Sequence, residues 1–208
     1  MKNIKEFNAN VGSKCRVTDT HVYFLSGSFS QWAKAEFKQA LVQGGCKLSF
    51  NCCEQYMMAG KATLFEDAAH RKKVMAVQQR EGEDFREVPK RQKAIGRDIE
   101  NFDLATWEAH ARSIVFRGNW AKFTQNPAMM AQLLETGDRK IVEGASYDSV
   151  WGVKLDWSDD RILDEANWQG TNWLGEVLMK VREIAKQCLA DGVAYEDFDV
   201  WSVTTWSA

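Results

Sequence analysis

The chain has 208 residues, 45% of them apolar and 27% charged, and a formal net charge of -2. That is enough chain for one domain with a real core. The balance excludes a surface that is basic throughout, so any nucleic-acid substrate would have to be met by a local patch. Five cysteines, Cys15, Cys46, Cys52, Cys53 and Cys188, are odd in number and lack CxxC spacing. Free thiols in a reducing, cytoplasmic setting are expected. The three histidines are scattered without metal-ligand spacing, and no signal peptide or long apolar run is present. Nine tryptophans suit a core and also a site that stacks on flat rings.

In chain order, residues 1–20 read as an extended lead-in. His21 to Leu25 is rich in β-branched and aromatic types and predicts a strand. It runs into Ser26-Gly27-Ser28-Phe29-Ser30-Gln31-Trp32, either a loop plugged into the core by Phe29 and Trp32 or a ligand loop whose small residues admit a phosphate or ribose. Residues 33–46 fit a short helix or a hairpin equally. Lys47 to Phe50 alternates like a strand, and Asn51 is a suitable N-cap for a helix that carries Glu54, Tyr56, Met58 and Lys61. Glu54 and Lys61 lie two turns apart on one face, about 10 Å along the axis. They cannot share a proton directly but can grip the two ends of a sugar-sized ligand.

A second helix is predicted from Phe65 to Gln79, with Glu66 and Asp67 at its positive end. A charged loop over 80–88 follows, then a helix begun by Pro89 and running to Ile99, with Lys90, Arg91, Lys93 and Arg97 as its basic run. Asp103 caps a long helix with an apolar stripe of Leu104, Trp107, Ala111, Ile114 and Val115. Lys122-Phe123 closes it, leaving Lys122 and Gln125 open for function, and Asn126-Pro127 starts the next helix. Lys140 to Ala145 predicts a buried strand that carries Glu143. Asp148 then stands three residues before Trp151, where a carboxylate and an indole suit a sugar and its base. After a charged loop over 155–167, Asn172 is the predicted N-cap of the last helix, whose N-terminus is a natural phosphate site. The helix ends near Asp191-Gly192. A tail with Trp201, Val203 and Trp206 follows.

Glu54-Gln55-Tyr56-Met57-Met58-Ala59-Gly60-Lys61-Ala62 resembles the Glu-His/Gln-Tyr-x-x-Ala-x-Lys-Ala signature of the NADAR (YbiA-like) family. The resemblance spans roughly 20–187, with further motifs in the expected order. These are the spacing of Phe24, Ser26, Phe29 and Ser30, then Lys93-Ala94-Ile95-Gly96-Arg97, Trp107 with Arg112, and Lys122-Phe123-Thr124-Gln125-Asn126. Thr136-Gly137 with Ile141-Val142-Glu143, Asp148-Ser149-Val150-Trp151-Gly152 and Gly170-Thr171-Asn172-Trp173-Leu174-Gly175 complete the set. One departure is Gly152-Val153-Lys154, where the family often continues Gly-x-Gly.

The resemblance implies an α+β, mainly helical fold. A single compact domain with a few short strands would occupy 21–190, after the 1–20 lead-in and before a 191–208 extension packed on it. It also implies an N-glycosidase acting on ribosides, with ADP-ribose on guanine of nucleic acid placed first and a riboflavin-pathway ribosylamino intermediate second. A non-catalytic ADP-ribose or NAD-binding module is the rival from another class, and a plain interaction protein the blandest reading. Breaking a ribosyl C–N bond passes through a cation-like anomeric carbon. Lys61 would be the nucleophile through an imine, Glu54 the proton donor or acceptor, and Asp148 the holder of ribose hydroxyls. Tyr56 and Trp151 would wall the pocket, with Phe24, Ser26, Phe29, Ser30, Lys122, Gly152 and Asn172 binding the substrate there and Arg97 serving the phosphates. No cofactor, metal or membrane is expected, and the chain would be a monomer or weak homo-oligomer.

Overall fold

The computed structural model describes residues 14–206. In chain order the elements are β1 (Cys15–Val17), β2 (His21–Phe24), β3 (Phe37–Gln39), β4 (Leu48–Phe50), α1 (Cys53–Leu64), α2 (Ala68–Met75), α3 (Glu87–Arg97), α4 (Leu104–Gln125), α5 (Pro127–Glu135), β5 (Lys140–Glu143) and α6 (Trp173–Asp191). Short 3-10 turns lie at Asp160–Leu163, Glu165–Asn167 and Tyr195–Asp197. The architecture is α+β and mainly helical. Contacts divide the described chain into two units: residues 14–33 with 127–197, and residues 34–126 with 198–206. No described helix is long and apolar enough to cross a membrane.

The first unit is built on a three-stranded sheet ordered β1-β2-β5. β2 pairs antiparallel with β1 and parallel with β5, Val22 lying opposite Ile141 and Phe24 opposite Glu143. Parallel pairing needs a long connection, and here residues 34–126 of the second unit lie between β2 and β5 in sequence. Val22, Tyr23 and Phe24 are all buried, as a central strand covered on both faces requires. The charged stretch 155–167 is more than a loop. Asp159 and Asp164 each cap a 3-10 turn, and Ile162 and Leu155 enter a core with Tyr23, Val142 and Val153. Trp168 packs on that cluster and donates its indole N–H to the Ile162 carbonyl at 2.8 Å.

In the second unit the ambiguous stretch 33–46 resolves as half of a hairpin: β3 pairs antiparallel with β4, Phe37 opposite Phe50. Helix α1 is the centre. Residues 52–60 are all buried, and α2, α3 and α4 pack around it. Asn51 does not cap it. The N-cap is Cys52, without a side-chain bond, because the Asn51 amide is used elsewhere, donating to the Val77 carbonyl and accepting from Gln92.

The helix expected over 65–79 shrinks to Ala68–Met75. Phe65 ends α1, Glu66 takes φ +57°, and Asp67 caps α2 by accepting from the His70 amide. The carbonyl of Val74 near its end receives the Gln55 side chain at 3.1 Å. Pro89 is the third residue of α3 rather than the first, still within the turn whose N–H groups have no helical partner. Arg91 in the basic run pairs with Glu83 and donates to the Gln78 carbonyl. The tail packs on α4: Phe198 lies against Trp120, Trp206 donates its indole N–H to Ser113 Oγ at 2.9 Å, and the Arg117 guanidinium sits 4.4 Å from the Trp201 ring centre.

Gly175 shows how tightly α6 meets β5. A Cβ there would overlap the Ile141 carbonyl oxygen, a backbone atom that cannot yield. Gly175→Ala is therefore expected to cost about 2–3 kcal/mol in urea denaturation. An unchanged unfolding midpoint would contradict this account of the contact.

Candidate active site

Lys61 stands in the last turn of α1 and is half-buried. Its ammonium donates to the Gly96 carbonyl at 2.9 Å. The Phe102 ring centre lies 4.2 Å from Nζ and that of Trp107 5.8 Å. Gly96 permits this closeness, since a Cβ there would run into the Met58 side chain. Burial lowers the Lys61 pKa from its ordinary value. The amine thus has a hydrogen-bond acceptor and two aromatic rings in place of part of its water, and burial disfavours its charged form.

Glu54, in the first turn of the same helix, is 2% exposed. Its surroundings differ from those of Lys61. Burial raises the thiols of Cys52 and Cys53, and the Glu54 carboxylate adds a smaller push to both. Cys53 is pushed up to about 11, mainly by burial and against the pull of Lys122. Glu54 is not among the causes of the Lys61 shift, in keeping with two helical turns between them.

Several expected contacts in the second unit prove to be packing. Tyr56 is 1% exposed; its ring packs on Phe37 and Phe50 and its hydroxyl donates to the Ala40 carbonyl at 2.8 Å. Lys122, expected to be open for function, is fully buried in the last turn of α4, and burial lowers its pKa. Gln125, also left open, accepts from the Lys38 amide and donates to the Lys38 carbonyl, so its side chain partners β3. Arg97 ends α3 exposed.

In the first unit, Phe24 and Phe29 are both 0% exposed and meet edge to face. The loop after β2 is therefore plugged by Phe29. Ser30 turns inward, its hydroxyl accepting from the Trp32 amide at 3.1 Å, while Ser26 is partly exposed. Asp148 Oδ1 accepts from the amides of Val150 and Trp151 at 3.0 and 2.8 Å. That leaves Oδ2 without a hydrogen bond among the described residues. Trp151 is partly exposed and meets Trp173 edge to face.

Asn172 occupies the N-cap position of α6 but does not cap it. It takes φ +55°, and its amide accepts from the Glu143 N–H and donates to the Ile141 carbonyl, extending β5 with a side chain. The expected phosphate site at this helix N-terminus is already filled. The amides of residues 171–174 donate to the carbonyls of Ser149, Gly152, Val150 and Trp151, so those N–H groups are not free for an anion. Gly152 is buried in this weave.

A family model described as NADAR domain matches residues 22–185. The chain belongs to the NADAR family. It is 39% identical over 178 residues to N-glycosidase R617 of Acanthamoeba polyphaga mimivirus, covering 82% of this chain and 99% of that one. It is 32% identical over 89 residues to N-glycosidase YbiA of Escherichia coli, 43% of this chain and 49% of that protein. The NMR structure of E. coli YbiA superposes with a TM-score of 0.61 at 26% identity, covering 86% of this chain and 94% of that one. In this NADAR chain the sequence named Lys61 as a site residue, did not name Phe102, and gave Trp107 to the core, where it packs partly buried against Ala62, Phe65 and Ile99. Neither carries a local signal, because Phe102 merely precedes the Asp103 cap.

The buried hydroxyl of Tyr56 yields a test. Tyr56→Phe removes its bond to Ala40 and is expected to lower stability by about 1–2 kcal/mol in urea denaturation, with KM unchanged. A raised KM at unchanged stability would move the hydroxyl from the core to the substrate.

Proposed function

We propose that this NADAR protein is an N-glycosidase that removes ADP-ribose from guanine in nucleic acid. Hydrolysis of an N-glycosyl bond is supported by the relatives named N-glycosidases. The observation that carries the chemistry is the half-buried Lys61 amine under Phe102 and Trp107. Guanine as the leaving group rests on the family resemblance, helped by partly exposed aromatic side chains such as Trp151 that can stack on a base.

In this reading the neutral Lys61 amine attacks the anomeric carbon and the C–N bond to the base breaks. The base leaves with a proton. The amine gives up two protons as the imine forms and the ribose ring opens, one to the departing base and one to the ring oxygen; Glu54, two helical turns away, can relay a proton only through a bridging water or the substrate itself. Water then adds to the imine, releasing free ADP-ribose and restoring the amine. Asp148 Oδ2 is assigned to the ribose hydroxyls, Trp151 to the base and Arg97 to the phosphates.

The deciding experiment incubates the protein in parallel with an ADP-ribosylated guanosine oligonucleotide and with the riboflavin-pathway ribosylamino intermediate. Free ADP-ribose from the first alone is expected. Turnover of the second alone would give the function to the metabolite, and binding of ADP-ribose without turnover of either would make the chain a binding module. Lys61→Ala is expected to lower kcat by about a thousandfold or more, and borohydride during turnover to trap an adduct on Lys61; no adduct under turnover would remove the imine.

Because only the neutral amine attacks, kcat/KM should rise with pH through a midpoint below the ordinary lysine value. Asp148→Asn preserves the acceptor that Val150 and Trp151 use while removing the charge. It should keep the unfolding midpoint and lower kcat/KM by about tenfold or more. Full activity in that variant would take Asp148 out of the site.

A further inference from the structure

Phe102 is 45% exposed. It leans edge to face on Phe65, 5.3 Å between ring centres, and its own ring lies 4.2 Å from the Lys61 nitrogen. The backbone that carries it is pinned on both sides. Ile99 is buried with Ala62 and Phe65, the Glu100 amide donates to Asp67 at 2.9 Å, and Asp103 caps α4 through the Thr106 amide at 2.7 Å. Between these anchors only Asn101 and Phe102 remain, and Asn101 already holds φ +56°. The loop therefore has little freedom to lift, whereas a half-exposed ring can change rotamer at small cost.

We propose that Phe102 is a positioning residue for the nucleophile: a side-chain cover that lies on the Lys61 amine in the free enzyme, keeps water from it, and swings aside about its own χ1 when the sugar arrives. This rests on the reading of Lys61 as nucleophile. Two effects of the ring oppose each other. Its face attracts the ammonium and favours the charged amine; its bulk excludes water and favours the neutral one. Burial lowers the Lys61 pKa, and in this proposal the ring's share of that burial outweighs the pull of its face. The charged residues of the adjoining stretch 93–108 are Lys93, Arg97, Asp98, Glu100, Asp103 and Glu108. None of them is a cause of the Lys61 shift.

The test reads the amine without substrate. Trace acetic anhydride labelling across pH, quantified at Lys61 against the exposed Lys47, gives the amine's midpoint in wild type, Phe102→Ala and Phe102→Leu. Phe102→Ala opens the amine to water, so its midpoint is expected to rise towards the ordinary value of about 10.4 and its relative labelling at pH 8 to fall about threefold. Phe102→Leu keeps an apolar cover without the ring face, so its midpoint should stay at or below wild type. An unmoved or lowered midpoint in Phe102→Ala, with that variant unfolding as a single cooperative transition, overturns the cover. The acid limb of kcat/KM should move with the amine in Phe102→Ala. A shifted amine with an unmoved limb would instead overturn Lys61 as the nucleophile, leaving Phe102 as a cover with no part in the reaction.

Discussion

Burial of helix α1 is the constraint on which the second unit depends. Every residue from Cys52 to Gly60 is buried, so the helix cannot be an amphipathic surface element with one wet face. Its polar groups must find partners inside. Gln55 does so by reaching the Asn51 amide and the Val74 carbonyl, and Tyr56 by reaching Ala40. These bonds fix the rotation of α1 among α2, α3 and α4, because burying such groups unpaired would cost about 1–3 kcal/mol each. Lys61 comes after this buried run, on the turn where the helix returns towards solvent, and inherits a fixed direction.

That direction explains the chemistry available to Lys61. A lysine on a free helix is fully hydrated and protonated at neutral pH. Here a carbonyl, a phenyl ring and an indole take the place of part of its water. Each contact can hold the ammonium, yet their combined bulk favours loss of its proton. Burial lowers its pKa, so the amine is anchored and easier to deprotonate than a surface lysine.

The first unit solves a different problem. Strand β5 and the N-terminus of α6 each present backbone groups that an isolated strand or helix leaves unpaired. The stretch 149–152 supplies carbonyls to the helix N-terminus, and the Asn172 amide supplies both a donor and an acceptor to the strand. Asp148 is held inside this arrangement by accepting two loop amides through one oxygen. The same turn that orders the backbone thereby aims the carboxylate.

The helices and most of the strands were legible in the sequence. Asp103 before an apolar stripe, Asn126-Pro127, and Gly192 after the last helix are local signals, since capping and turn chemistry act over a few residues. The family motifs marked Lys61, Glu54 and Asp148 in the same way. Tertiary structure alone decided which polar residues became internal partners. Asn51 and Asn172 look like caps but serve Val77, Gln92 and β5, and Lys122 and Gln125 look available but are committed to the interior and to β3. Phe102 reaches Lys61 only because α1 and the loop before α4 meet in space, 41 residues apart in sequence. A side chain's local pattern fixes its backbone, but its partner is chosen by whichever distant group the packing brings within hydrogen-bond or ring-contact distance.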